Sequence, residues 1–323
     1  MPTVIPSPSW SNAELSAADI ASLPYSKWIQ EDLARPLVAL SFKGKIRLTG
    51  HYVKLGKGSC SLVFPGEIIQ AGQVHQVAVK VYQTDIADAQ MMAREIKVLR
   101  MSRHPNIVYF HGVVATPHPT SSDLSDFRIV TSLCEGGDIL SYLARNQNAH
   151  RMSLIHDMVA GMSYLHGNNI AHGRIEPKKV LVRLVDGRAC AVLSSFASAR
   201  ILGDITSSDW YEGIYIYTPP ENAPSKSSTP LATKEADIYA FGFTALKVLS
   251  TLEVTYSTDE AGAATAAFFW AGNRPSRQAH AGPELTLEVW QLIEECWNAE
   301  PKNRPIVEEV IARVAGLANK NCI

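Results

Sequence analysis

The spacing of apolar residues changes along this chain, and that change limits the folds open to it. Between Ile46 and Tyr82, apolar and polar residues alternate, most clearly in Gln76-Val77-Ala78-Val79-Lys80-Val81-Tyr82. A period of two places successive side chains on opposite faces of a β-strand, so Ala78 and Lys80 are expected to share one face. The first part of the chain is therefore predicted to be rich in strands.

Strand-like sequence continues from Val108 to Leu133, where a polar, proline-containing loop is predicted from Thr116 to Asp126. Helical periodicity appears earlier, in 87–101, and it dominates after Gly136-Gly137. The residues and ranges that indicate helices are Met92, Ile96 and Leu99; Leu154, Ile155, Met158, Met162 and Leu165, ending near Gly167; Ala236 to Leu249; Leu285 to Trp297; and Ile306 to Leu317. A strand-rich part followed by a helix-rich part predicts an α+β fold.

Composition excludes several classes of protein. Of the 323 residues, 46% are hydrophobic and 19% are charged, which is typical of a globular protein with a folded core. The formal net charge is −1, so neither nucleic acid nor anionic lipid is expected as a partner. The five cysteines lack Cys-x-x-Cys spacing, which predicts free thiols in a reducing compartment, the cytoplasm or the nucleus.

No segment predicts secretion or membrane insertion. The start, MPTVIPSPSW, has prolines where a signal peptide would have an apolar run. The most apolar stretch, 261–272, is much shorter than the roughly 20 residues that cross a bilayer.

Several motifs occur in order and resemble those of protein kinases. They are Leu55-Gly56-Lys57-Gly58-Ser59-Cys60-Ser61-Leu62-Val63; Val77-Ala78-Val79-Lys80, followed by Glu95; His172-Gly173-Arg174-Ile175-Glu176-Pro177-Lys178-Lys179; Ser195-Phe196-Ala197; Tyr217-Thr218-Pro219-Pro220-Glu221; and Asp237-Ile238-Tyr239-Ala240-Phe241-Gly242. Cys296-Trp297 with Asn303-Arg304-Pro305 resembles the tyrosine-kinase-like branch of that superfamily.

The resemblance implies a two-lobed protein-kinase fold over 45–318. It places a strand-rich N-lobe at about 45–134 and a helical C-lobe at about 135–318, with an extension over 1–44 and a tail over 319–323. The stretch from Asn12 to Ile20 in the extension has the weak amphipathic pattern of one short helix.

By the same resemblance, one set of residues would bind a nucleotide. It comprises Gly56, Gly58, Val63, Ala78, Lys80, Glu95, Thr131, Ser132, Cys134 and Leu181. In the family, the glycines approach phosphate, Lys80 pairs with Glu95, Thr131 guards the back pocket, and the backbone of Ser132 and Cys134 meets adenine. Taken alone, two glycines between strands are also typical of a plain turn, and a Lys-Glu pair of a surface contact.

Three positions depart from the family in a way that removes its chemistry. Arg174 stands at the catalytic base, and a guanidinium does not deprotonate in a protein. Lys179 and Ser195 replace the two magnesium ligands, and an ammonium cannot ligate a metal. Glu176 also reverses the charge of a lysine that faces phosphate in serine/threonine-type members. No magnesium is therefore expected.

Other positions keep what the family uses for structure. Glu221 is expected to pair with Arg304, and Asp237 to brace the catalytic loop. Four residues map onto the regulatory hydrophobic stack, although core packing alone would also explain them: Leu99, Phe110, His172 and Phe196. Gly173 replaces an arginine that grips a phosphorylated activation loop, so that switch is expected to be absent despite Thr206, Ser207, Ser208 and Tyr211.

These features predict a catalytically inactive kinase-like protein, or pseudokinase, that acts as a signalling or scaffold protein. ATP binding without magnesium is one expectation, with Lys80, Arg174 and Lys179 gathering positive charge around the phosphates. The same residues would equally suit solvated positions around an empty cleft. The alternatives are an atypical phosphotransferase that uses Glu95 or Glu176, and a nucleotide-free interaction module. A protein partner is expected, such as an active kinase or its substrate.

Overall fold

A computed structural model of the chain describes residues 11–12, 45–48, 56–57, 61–70, 72–82, 86–118, 121–204, 216–223, 231–251 and 260–320. The chain forms two compact units. The first comprises Met1–Met101 and Val108–Cys134, and the second Ser102–Ile107 and Glu135–Ile323. The short segment 102–107 thus belongs to the second unit although the first surrounds it in sequence.

The first unit is built on an antiparallel sheet with one long helix. Its elements are β1 (Ser11–Asn12), β2 (Lys45–Leu48), β3 (Gly56–Lys57), β4 (Ser61–Gln70), β5 (Gln73–Tyr82), α1 (Ile86–Met101), β6 (Phe110–His118) and β7 (Ser121–Ser132). The strand order is β1-β2-β4-β5-β7-β6, and β3 pairs with β4.

The alternation read from β5 is observed in the sheet. Val77 and Val79 are buried in a cluster with Ile68 and Val130, whereas Ala78 and Lys80, which alternate with them along the strand, are only partly buried. Helix α1 buries its predicted face, with exposed fractions of 4% for Met92 and 1% for both Ile96 and Leu99. The two periodicities therefore identified the buried side of each element correctly.

The loop predicted from Thr116 to Asp126 was wrong. Strand β6 runs to His118 and β7 begins at Ser121, and Thr116 and Pro117 pair with Asp126 and Ser125. The polar composition suggested a loop, but a ladder held by backbone hydrogen bonds accepts polar side chains. Proline is tolerated because β6 is an edge strand.

The helix predicted from Asn12 to Ile20 lies outside the described residues except for Asn12. That residue is in β1, where it pairs with Lys45 of β2. The predicted domain boundaries stay predictions.

The second unit is mostly helical. Its elements are β8 (Gly137–Asp138), α2 (Ile139–Arg145), α3 (Arg151–Gly167), β9 (Ile170–Ala171), β10 (Val180–Val185), β11 (Arg188–Leu193), β12 (Arg200–Ile201), α4 (Lys234–Leu249), α5 (Glu260–Trp270), α6 (Leu287–Cys296) and α7 (Val307–Lys320). Two small antiparallel sheets, β11-β10-β8 and β12-β9, flank the predicted catalytic loop in sequence. A strand-rich unit and a helix-rich unit confirm the predicted α+β class.

Side chains that cap helix N-termini set where three of these helices begin. Asp138, Thr233 and Thr286 each accept a hydrogen bond from a backbone N–H in the first turn of α2, α4 and α6. Helix α3 ends at Gly167 as predicted, and the five apolar residues of its predicted face are all buried.

Helix α4 is buried on nearly all sides, as its apolar sequence predicted. Helix α5, which carries the most apolar stretch, is only 11 residues long. Within the described ranges, no helix is both long enough and apolar enough to cross a bilayer.

Candidate functional site

One face of the first unit's sheet brings together five of the ten predicted nucleotide-binding residues. Gly56 lies opposite Val63, Val63 opposite Lys80, and Ala78 opposite Thr131. Directly opposed residues of antiparallel strands project to the same face, and so do Ala78 and Lys80, two positions apart. Gly58 lies outside the described residues.

Lys80 and Glu95 form the ion pair that the sequence predicted. Lys80 Nζ lies 2.5 Å from Glu95 Oε2, and the two side chains are 14% and 4% exposed. The Tyr82 hydroxyl donates a hydrogen bond to the same carboxylate oxygen, and Lys80 Nζ lies 4.7 Å from the centre of the Tyr82 ring. The pair is therefore a largely buried link between β5 and α1 rather than a surface contact.

Tyr82 was missed by the sequence analysis, although the signal was present. It stands two residues after Lys80 in an alternating strand, so both side chains point to the same face. The acceptor capacity of Glu95 is shared between a cation and a hydroxyl, which fixes the position of the carboxylate more firmly than the lysine alone.

The segment predicted to meet adenine begins at the end of β7. Ser132 N–H donates to the Tyr109 carbonyl at 2.9 Å, and Ser132 Oγ lies 3.0 Å from His111 Nε2. The next predicted contact, Cys134, is 8% exposed. Leu181, the remaining residue of the set, is in the second unit, where β10 pairs it with Asp138 and Val192.

In the second unit, Asp237 holds the predicted catalytic loop. Its carboxylate accepts hydrogen bonds from the backbone N–H groups of His172 at 2.7 Å and Gly173 at 2.8 Å. His166 Nε2 lies 3.0 Å from the same carboxylate, and Asp237 is only 1% exposed. The bracing role predicted for Asp237 matches this geometry, whereas His166 was not anticipated.

His172 links the loop to the segment that contains Phe196. Its Nε2 lies 3.1 Å from the Ser194 carbonyl, its Nδ1 accepts from Arg174 N–H at 3.2 Å, and its ring centre is 5.0 Å from that of Phe196. These contacts suit the neutral imidazole with a proton on Nε2. Leu99 and Phe110, the other members of the predicted stack, are buried in the first unit.

Arg174, at the position of the catalytic base, forms an ion pair with Glu176. Arg174 Nε lies 3.1 Å from Glu176 Oε1, and the side chains are 15% and 7% exposed. Burial and the charge of Glu176 both raise the pKa of the neighbouring Tyr217 hydroxyl, so that tyrosine stays protonated. Arg174 and Glu176 both depart from the residues that the family has at these positions. In the structure their opposite charges compensate each other in one contact.

Lys179 and Ser195 occupy the two positions that would hold magnesium, and their backbones have different roles. The carbonyl of Lys179 accepts from Ser194 N–H at 2.9 Å and from Ser194 Oγ at 3.0 Å. Ser195 has a left-handed backbone, with φ of 64°, a conformation that Asp and Asn adopt more readily than most residues. The backbone keeps a form suited to aspartate although the carboxylate is absent.

The residues at these two positions do not fit a magnesium ion. Mg²⁺ prefers carboxylate and other oxygen ligands, whereas Lys179 contributes a positive charge and Ser195 a neutral hydroxyl. Across the described ranges, no group of three or more His, Cys, Asp or Glu side chains is placed to hold a metal ion.

Gly173 occupies a position with little space for a side chain. Its φ is +75°, and a Cβ there would lie 2.2 Å from the Ser198 carbonyl oxygen and 2.9 Å from Ala232 Cβ. Any larger residue would therefore need both neighbours to move. The activation-segment residues Thr206, Ser207, Ser208 and Tyr211 lie outside the described residues.

Glu221 and Arg304 form the predicted pair at the end of the activation segment. The two guanidinium Nη atoms bond the two carboxylate oxygens at 2.7 and 2.8 Å, and the Arg304 side chain is fully buried. The same guanidinium donates to the Glu235 and Asn298 carbonyls, both at 2.9 Å, and lies 5.0 Å from the centre of the Tyr239 ring. Arg304 thus ties together several segments of the second unit.

Comparison with known proteins agrees with this arrangement. The family described as "Protein tyrosine and serine/threonine kinase" matches residues 50–314. The chain therefore belongs to the protein kinase family, and the fold predicted from its motifs is confirmed.

The relatives are similar over most of this chain. Serine/threonine-protein kinase STY46 of Arabidopsis thaliana is 26% identical over 278 residues, which cover 84% of this chain and 44% of that protein. Serine/threonine-protein kinase CTR1 of Arabidopsis thaliana is 28% identical over 78% of this chain and 29% of that protein. Serine/threonine-protein kinase A-Raf of Sus scrofa is 24% identical over 81% of this chain and 42% of that protein.

The chain thus matches less than half the length of each of these three relatives. Kinases of the tyrosine-kinase-like type are among them, in agreement with the branch predicted from Cys296-Trp297 and Asn303-Arg304-Pro305.

Proposed function

We propose that this chain is a protein-kinase domain that does not transfer phosphate and acts as a signalling or scaffold protein. The observation that carries the proposal is the ion pair of Arg174 with Glu176. A base must accept the proton of the substrate hydroxyl, and an arginine held by a carboxylate remains protonated. Loss of a positioned base alone removes a factor of about 10² to 10⁴ in rate.

The metal positions support the same conclusion. Phosphoryl transfer in kinases relies on metal ions to neutralise charge on the transferring group. Lys179 and Ser195 bring no carboxylate to the positions from which those ions would be held. Loss of that stabilisation adds several kcal/mol to the barrier.

An atypical phosphotransferase is less well supported. It would need Glu95 or Glu176 to act as a base or as a metal ligand. Glu95 already accepts from Lys80 and Tyr82, and Glu176 pairs with Arg174. Recruiting either carboxylate would break a buried ion pair, which is costly because it leaves an uncompensated charge.

ATP binding without magnesium remains part of the proposal. The sheet face with Gly56, Val63, Ala78 and Thr131 offers apolar and small side chains beside the Lys80 ammonium, which suits a purine and a phosphate. Because Glu176 neutralises Arg174, we assign the leading phosphate contact to Lys80 and none to Arg174.

A thermal-melt series tests nucleotide binding. We expect ATP to raise the melting temperature of the purified chain equally with magnesium and with EDTA, because binding to the folded state alone stabilises it. Lys80→Ala should abolish the shift, while Arg174→Gln should retain it. A shift that requires magnesium would contradict metal-free binding, and no shift at all would favour the nucleotide-free interaction module.

A phosphotransfer assay tests the absence of activity. The wild-type chain is expected to be inactive with magnesium or manganese. Arg174→Asp, Lys179→Asn and Ser195→Asp restore the family residues but place a second carboxylate beside that of Glu176, so we expect this triple variant to be destabilised. Adding Glu176→Lys restores an ion pair of opposite polarity, and recovery of activity is expected only in that quadruple variant. Wild-type activity that disappears in Lys80→Ala would refute the proposal.

The proposed partner is a protein, such as an active kinase or a kinase substrate. We also propose a reducing compartment, cytoplasmic or nuclear, because none of the cysteines that the structure describes, Cys134, Cys190 and Cys296, forms a disulfide. Immunoprecipitation of the full chain followed by a kinase assay of the captured proteins would test the first point.

A further inference from the structure

The catalytic loop of the second unit carries more positive than negative charge. Arg174, Lys178 and Lys179 lie within six residues of sequence, and Glu176 is the one carboxylate among them. Lys178 is exposed, Lys179 is half-buried and Glu176 is 6% exposed. The cations therefore reach solvent more readily than the carboxylate does.

Helix α4 adds another lysine to this loop. The helix packs against the turn Pro177–Lys179, and Thr244 Oγ1 donates to the Ile175 carbonyl at 3.0 Å. Lys247 follows Thr244 by three positions and so lies on the same side of the helix. It is half-buried, and we group it with Arg174, Lys178 and Lys179 as the basic loop surface.

The charges of this surface act on one another. Burial lowers the pKa of Lys247, the charge of Lys178 lowers it further, and the charge of Glu176 opposes the change. Two neighbouring ammonium groups repel each other, and a bound anion would relieve that repulsion. The single carboxylate of Glu176 is already committed to Arg174 at 3.1 Å.

We propose that the basic loop surface binds a phosphorylated side chain of a partner protein. We assign the phosphate contacts to Lys178 and Lys247, while Arg174 pairs with Glu176 and so offsets the one carboxylate that would repel a phosphate. A phosphomonoester carries close to two negative charges and three acceptor oxygens, which match clustered lysine donors. The loop would then act as a reader, that is, a surface that binds a phosphorylated residue in preference to an unphosphorylated one. This inference rests on the proposed absence of phosphoryl transfer.

The experiment uses the full chain and fluorescent degenerate peptide pools with a central phosphoserine, phosphothreonine, serine, threonine or glutamate. Fluorescence anisotropy should show binding of the phosphorylated pools at least about tenfold tighter than the unphosphorylated ones, as charge-assisted hydrogen bonds predict. Lys178→Gln with Lys247→Gln should remove most of that preference, and raising the salt concentration should weaken it.

A matched control is Lys302→Gln with Arg277→Gln, which removes the same charge from exposed positions outside this surface. It should leave the preference unchanged. Equal binding of phosphorylated and unphosphorylated pools, or equal loss in both double variants, would overturn the proposal. Melting curves of each variant verify folding.

A separate phosphotransfer assay on the same preparation keeps the two proposals distinguishable. Transfer by the wild-type chain would refute the proposed function, whereas an inactive chain without phosphopeptide preference would refute the reader alone.

Discussion

Replacing Arg304 with methionine is expected to lower the free energy of unfolding of the second unit by about 3 kcal/mol, the lower end for breaking a buried pair because the Glu221 side chain is 29% exposed. The Arg304 side chain is fully buried, and it holds Glu221 through two bonds of 2.7 and 2.8 Å. Its removal leaves the Glu221 carboxylate without its cation and takes a donor from the Glu235 and Asn298 carbonyls. The cost arises mainly from these abandoned partners rather than from the strength of the pair itself.

Urea unfolding followed by tryptophan fluorescence measures this effect, and the chain supplies a matched control. Arg313 also binds a glutamate through both of its Nη atoms, but Arg313 and Glu295 are 37% and 50% exposed. Arg313→Met should therefore cost only about 0.2 to 1 kcal/mol. If the free energy of unfolding falls by the same small amount in both variants, burial of the Arg304 pair does not make it more stabilising than an exposed pair.

Replacing Asp237 with alanine is expected to destabilise the second unit by several kcal/mol, at about 1 to 3 kcal/mol for each buried donor left without an acceptor. The donors are His172 N–H and Gly173 N–H, and His166 Nε2 lies 3.0 Å from the same carboxylate. Because two consecutive peptide groups lose their anchor, the loop that contains Arg174 should also lose its geometry.

Two further variants make the Asp237 prediction specific. Asp237→Asn keeps one acceptor oxygen and should cost less than the alanine variant. Asp138→Ala removes a helix cap from α2 and should cost about 0.5 to 2 kcal/mol. Thermal unfolding by circular dichroism ranks the three variants, and an Asp237→Ala variant as stable as Asp138→Ala would contradict the bracing role.

Much of the fold could be predicted from the sequence because hydrophobic periodicity is a local signal. The faces of β5, α1 and α3 were correct, and Gly167 ended α3 as predicted. The β6–β7 hairpin was the main error. The strands of this hairpin are held by backbone hydrogen bonds, which do not depend on the polarity of the side chains, so a polar composition with a proline did not reveal them.

The candidate site was likewise predicted in part. The resemblance to protein kinases predicted the pairs Lys80 with Glu95 and Glu221 with Arg304, and both form. The contact of Arg174 with Glu176 was not predicted. In an irregular loop, the side chains of two residues that are two positions apart can point in any relative direction. Because Glu176 pairs with Arg174, we propose that Lys80 and not Arg174 makes the leading contact with the phosphates of ATP.

The sequence by itself determined that a strand-rich part precedes a helix-rich part, and that the residues expected by resemblance to protein kinases are absent at positions 174, 179 and 195. Periodicity and side-chain chemistry do not depend on distant neighbours. Only the tertiary structure decided which side chains interact: Tyr82 joins Lys80 at Glu95, Glu176 pairs with Arg174, and the charge of Lys178 lowers the pKa of Lys247. The physical reason is that Coulomb and hydrogen-bond energies depend on distance and burial, which folding sets.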